Sequence, residues 1–110
     1  MSYKMIIHAV EPDAYQLRFV TSDGDSILKC EPRQSKSRVL EDAEVLRRGV
    51  LEDGRYAVQR DSQGRFAFNF LGELGEPMGV SALFPTPEGL GKAIAALKAE
   101  VPQAVLLDHS

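Results

Sequence analysis

The chain is poor in reactive side chains. It holds one cysteine, Cys30, and two histidines, His8 and His109. A single thiol rules out an intramolecular disulfide and suits a reducing compartment. No Cys/His pair has metal-ligand spacing, so no metal site or cofactor is expected. Excess positive charge is also missing. Thirteen Lys and Arg against sixteen Asp and Glu give a net charge of −3, so no global field draws the chain to nucleic acid or to an anionic membrane. No window approaches the roughly 18 consecutive apolar residues of a membrane span. The N-terminus lacks the basic region and long apolar core of a signal peptide. These absences point to a soluble cytoplasmic protein.

What is present is an ordinary globular composition, 44% apolar and 26% charged over 110 residues. A chain of that length forms one domain and buries roughly two-thirds of its unfolded surface. Its organisation comes from a repeat. At a lag of 51 residues, Tyr15, Leu17 and Phe19 recur as Phe66, Phe68 and Phe70, Gly24 recurs as Gly75, and Ser35 as Thr86. The series Val39, Ala43, Leu46, Val50 recurs as Leu90, Ile94, Leu97, Val101. Both copies must therefore satisfy one packing geometry.

Each copy reads as three strands and a helix. In the first, residues 4–10 are β-rich, and a turn at Glu11-Pro12-Asp13 follows. Residues 15–21 alternate Tyr15/Leu17/Phe19 against Gln16/Arg18, which sends the large apolar groups to one sheet face. Asp23-Gly24 marks a hairpin, and residues 26–31 return. The second copy runs 56–61, 65–71 and 78–83, with Phe66, Phe68 and Phe70 inward. The third strands alternate poorly, which leaves their inward face open. Thr86-Pro87-Glu88 is a helix start, with Ser35 as its counterpart and Ser37 as a competing cap. Spacings of 4, 3 and 4 put one apolar stripe on each helix. Gly89 and Gly91 weaken the second helix, and close packing against the sheet is the expected reason. A short apolar strand, 104–108, closes the chain. The strand after each helix can cross over and pair with the other copy.

This pattern resembles the YegP-like family of small bacterial proteins. The family repeat runs Tyr-x-Phe-x-Leu, a Gly turn, Ile-x-x-Ser-Glu, an aromatic, Ser-Lys and a short helix. Here it stands as Tyr15-Gln16-Leu17-Arg18-Phe19, Gly24, Ile27-Leu28-Lys29-Cys30-Glu31 and Ser35-Lys36. The second copy has Arg65-Phe66-Ala67-Phe68, Gly75, Met78-Gly79-Val80-Ser81, Phe84 and Thr86. Cys30 replaces the usual Ser, Arg33 sits where an aromatic is expected, and the Asn-Gly turn becomes Asp23-Gly24 or Leu74-Gly75. The resemblance covers about residues 4–101. It implies a single sheet with swapped strands, and it implies no catalytic residue.

Four groups of residues are candidates for chemistry. Cys30 would need His8 within hydrogen-bond reach to act as a nucleophile, and a structural thiol is the plainer reading. Gly89-Leu90-Gly91-Lys92 hints at anion binding at a helix start, but the Walker and Rossmann contexts are absent. Lys29, Arg33, Lys36 and Arg38 make a basic segment, whose plainer reading is a solvated face. The fourth is the sheet face opposite the helices, where parity places His8, Gln16, Arg18, Gln59, Ala67 and Asn69.

The expectation is therefore an α+β fold. A duplicated β-β-β-α(-β) unit forms one mainly antiparallel sheet, with both helices on one face and the terminal strands swapped. Residues 4–53 and 54–108 are the repeats of a single domain, 1–110. The expected function is a non-enzymatic binding or accessory module using the open sheet face, through His8, Gln16, Arg18, Gln59, Asn69, Arg33 and Lys36. The partner is an unspecified protein or small molecule. The alternatives are nucleic-acid binding through Lys29–Arg38 and a small-ligand enzyme using Cys30. A tandem copy supplies its own partner, so a monomer is expected.

Overall fold

Seven strands and two helices follow the expected order in a computed structural model that describes residues 3–110. The strands are β1 (Lys4–Glu11), β2 (Ala14–Val20), β3 (Ser26–Cys30), β4 (Tyr56–Arg60), β5 (Phe66–Leu71), β6 (Pro77–Ser81) and β7 (Val105–Asp108). Helix α1 (Lys36–Gly49) follows β3, and α2 (Pro87–Glu100) follows β6. The strands form one mixed sheet in the order β4-β5-β6-β3-β2-β1-β7. Five neighbouring pairs are antiparallel. The last strand alone runs parallel to its neighbour, with Met5 beside Leu106. No helix among the described residues is long and apolar enough to cross a membrane.

Local chemistry accounts for these boundaries. Ser35 accepts a hydrogen bond from the Arg38 amide and caps α1, while Ser37 lies inside the helix. Thr86 caps α2 by accepting from the Gly89 amide at 3.1 Å, with Pro87 at the first helical position. Gly24 and Gly75 close the β2–β3 and β5–β6 hairpins at φ of 92° and 82°, a region that disfavours other residues. Gly91 departs from expectation. A Cβ there would meet nothing within 4 Å, so close packing does not explain it.

The core lies between the sheet and the helices. Met5, Ile7, Leu17, Phe19, Leu28, Cys30, Phe68, Phe70 and Met78 point into it and meet Val39, Ala43, Leu46, Leu90 and Leu97. Phe68 and Phe70 are fully buried, and Phe66 is half-buried against the same cluster. On α2 the buried stripe includes Ala93, and Ile94 is only half-buried beside it. The third strands lose their alternation because register shifts fall at Phe19/Val20 and at Phe70/Leu71. Such bulges put two residues of one strand opposite one of the next. Leu28 and Cys30 prove to be the inward pair of β3.

Backbone contacts repeat at the 51-residue lag. Tyr15 and Arg33 exchange two hydrogen bonds of 2.7 Å, and so do Phe66 and Phe84. At the β3–β6 junction the Glu31 amide donates to the Met78 carbonyl, and the Ala82 amide donates to that of Ile27. The junction is thus reciprocal, and its centre falls on the Lys29↔Val80 pair. The two chain segments approach closely there. A Cβ at Gly79 would lie 2.9 Å from the Lys29 carbonyl oxygen.

Candidate functional site

The face of the sheet away from the helices is built from residues that alternate with the core. Register carries one outward row across all seven strands: Ala57, Asn69, Val80, Lys29, Arg18, Ile6 and Leu107. Neighbouring strands lie about 4.8 Å apart, so side chains along the row touch. Lys29 and Arg18 are direct neighbours at its middle. Two like charges placed opposite one another destabilise a sheet. Neither joins an ion pair among the described residues. Arg18 donates from one terminal nitrogen to the Ser26 hydroxyl at 3.1 Å, while its buried Nε–H finds no protein acceptor.

His8 and Gln16 stand directly opposite each other one step along the same face. The Gln16 amide nitrogen donates to the Cys30 carbonyl at 2.9 Å, which turns its oxygen toward His8 Nε2 at 3.2 Å. That oxygen is an acceptor, so the proton of the neutral imidazole belongs on Nε2. Burial, and then the positive charge of Arg18, hold the imidazole below its ordinary range. The Gln16 hydrogen bond opposes this, and Lys29 adds to it. A depression of about 490 Å³ adjoins the row, lined by Asp25, Ser26, Lys29, Val80 and Leu83 among others. Val80 and Leu83 are 42% and 51% exposed.

The structure gathers five of the seven candidate residues on this face and separates the other two. His8, Gln16, Arg18 and Asn69 are half-buried there, and Gln59 is exposed. Ala67 also has outward parity, but it is buried instead of open, in a small hollow that Gln59 and Leu83 also line. Arg33 instead packs against α1, where its Nε donates to Asp42 at 2.8 Å and a terminal nitrogen at 3.3 Å. That bidentate bond raises its pKa. Lys36 pairs with Asp108 at 3.1 Å and lies 5.6 Å from the centre of the Tyr15 ring. The Ser110 hydroxyl and amide, and then Lys36, draw the Asp108 carboxyl down to about 2.

The Lys29–Arg38 segment therefore presents no single patch. Arg38 pairs with Glu41 at 3.7 Å, and only Lys29 reaches the outward face. Sequence parity misses Lys29 as a member of the sheet-face group because the bulge at Phe19/Val20 hides the register of β3. Its signal was its place in a strand beside Arg18.

Cys30 faces the core and is 2% exposed, whereas His8 faces outward. Gln16 on the intervening β2 links the two, and it does so through the Cys30 carbonyl, not the sulfur. Burial, and then the Asp42 charge, push the thiol up to about 12, which leaves almost no thiolate at neutral pH. No cluster of three or more His, Cys, Asp or Glu side chains that could hold a metal ion occurs among the described residues. At the start of α2 the Gly89 amide is taken by Thr86.

Two clefts flank the helices at positions related by the lag of 51. One, about 350 Å³, is lined by Arg33, Asp42, Val45, Gly72, Glu76 and Met78. The other, about 330 Å³, is lined by Phe84, Ala93, Ala96, Thr21, Asp25 and Ile27, together with Tyr3 and Lys92. Arg33 thus occupies the position of Phe84, and Asp42 that of Ala93.

No family model matches the chain. It is 24% identical to the UPF0339 protein PA0329 of Pseudomonas aeruginosa, over the whole of both chains. Its fold matches that of yegP from E. coli, a protein of unknown function, with a TM-score of 0.89 and 21% identity, over 99% of this chain and 94% of that one. The UPF0339 protein SO3888 of Shewanella oneidensis matches with a TM-score of 0.89 and 18% identity, over 98% and 92%. These relatives support the resemblance to YegP-like proteins. None of their names carries an activity.

Proposed function

We propose that the protein is a non-enzymatic binding module whose working surface is the outward sheet face, centred on Arg18 and Lys29. The observation that carries this reading is the adjacent, unpaired placement of those two cations. A sheet selected for stability alone gains nothing from like charges opposite one another. Convergent acid, base or nucleophile is what turnover would require, and the thiol lies on the other side of the sheet from the imidazole. Affinity purification from the native host tests the reading. Partners retained by the parent should be lost with the Arg18→Ala/Lys29→Ala variant. Retention unchanged by that double substitution would defeat it.

The same reading extends to the origin of the fold. Residues 4–53 and 54–108 are taken as two copies of one β-β-β-α unit, with β7 given by the second half to the first. The reciprocal hydrogen bonds at the β3–β6 junction and the paired bulges support it. A chain that completes its own sheet in this way is expected to be a cytoplasmic monomer. Sedimentation should return the mass of 12.1 kDa, and twice that value would count against it.

A further inference from the structure

We propose that the partner is an extended acidic protein segment, whose carboxylates lie against Arg18 and Lys29 while its apolar side chains cover the exposed residues beside them. This rests on the outward face being the binding surface, and three observations narrow the occupant. First, the centre of the face is cationic although the chain carries net −3. Lys4, Arg18 and Lys29 hold no carboxylate among the described ion pairs. Cations without a protein carboxylate gain most from an ionised oxygen, because charge-assisted hydrogen bonds are the strong ones.

Second, the cations are bordered by apolar side chains. Val80 and Leu83 lie on one side, and Ile6 and Leu107 on the other. An inorganic anion would leave these uncovered. An extended segment projects alternate side chains on one side about 7 Å apart, so two carboxylates can reach the two cations. Third, all eight aromatic rings lie within the core or pack against it. None is left on the outward face to stack a nucleobase.

The test is an amide NMR titration of the labelled protein with the capped heptapeptide Val-Ser-Glu-Ser-Glu-Ser-Val, whose two carboxylates and two apolar side chains share one side when extended. Three further probes are the same peptide with Gln for Glu, inorganic phosphate and oligothymidylate. The acidic peptide should shift the amides of Ile6, Arg18, Lys29 and Val80, and should bind more weakly as salt rises. Lys29→Val should weaken it by about tenfold while leaving the melting temperature equal or higher. A lower melting temperature with unchanged binding would mark Lys29 as structural and overturn the proposal. Equal binding of the Gln peptide at the same amides would overturn the acidic partner and leave the sheet-face reading intact. Tighter binding of oligothymidylate, or displacement of the peptide by millimolar phosphate, would likewise overturn it. Shifts confined to the helices, or none with any probe, would remove both.

Discussion

The cleft beside α1 has a guanidinium and a carboxylate at its wall, Arg33 and Asp42, whereas the cleft beside α2 has Phe84 and Ala93 at the matching positions. The backbone around them is the same, down to the paired 2.7 Å hydrogen bonds that Arg33 and Phe84 make to Tyr15 and Phe66. Asp42 is 8% exposed. An aromatic ring over a methyl group and a bidentate ion pair therefore fill equivalent space, provided both residues change together. That is why Arg33 is tolerated where the YegP-like pattern has an aromatic. The outward face shows the same division. His8, Gln16, Arg18 and Lys29 in the first half correspond, at the lag of 51, to Gln59, Ala67, Asn69 and Val80 in the second. One scaffold thus carries a charged half and a neutral half.

Exchanging residues between the halves tests this contrast. Asp42→Ala alone leaves Arg33 without its partner in a site only partly open to water, with side-chain exposures of 28% and 12% for the pair. Denaturant unfolding should show a loss of about 2–3 kcal/mol, below the fully buried case because solvent screens Arg33. Adding Arg33→Phe to Asp42→Ala copies the second cleft and should restore stability to within about 1 kcal/mol of the parent. Failure of that rescue would show that the two clefts are not equivalent.

Lys29→Val, the residue of its own register partner, removes like-charge repulsion and should stabilise the free protein by about 0.5 kcal/mol. Cys30→Ser should change stability by less than about 1 kcal/mol. At the matching position the Ser81 hydroxyl accepts from the Phe68 amide at 2.9 Å, and a hydroxyl at 30 is expected to use the Leu17 amide in the same way.

The smallest effect is on protonation. His8 titrates below its ordinary value of 6.5 in the folded chain, so the unfolded chain binds more protons just below that pH. Its contribution to stability is complete above that value and is lost as pH falls through the window beneath it. Lys29→Val should move the His8 titration upward by NMR. An unmoved curve would mean that the Lys29 charge does not reach the imidazole.

Much of this arrangement was legible in the sequence, and what was not has physical causes. The Phe66/Phe68/Phe70 row follows from a period of two, and the caps at Ser35 and Thr86 follow from hydroxyls beside the apolar stripes. The inward face of β3 was hidden, because a bulge shifts parity midway along the β2–β3 pair. That same shift concealed Lys29 as a member of the outward row. The Arg33–Asp42 pair spans nine residues and bridges a loop to a helix, so no local period announces it. Ala67 has outward parity, yet it is buried in a small hollow that Gln59, Arg60 and Leu83 also line.

The Lys29↔Val80 pair sits where the β3–β6 junction maps onto itself. The two clefts beside the helices lie away from that point and form a pair. A surface straddling it occurs once per molecule, and each approach direction meets different side chains. An occupant there should saturate at one equivalent and in one orientation, with the valine side and the lysine side telling its ends apart.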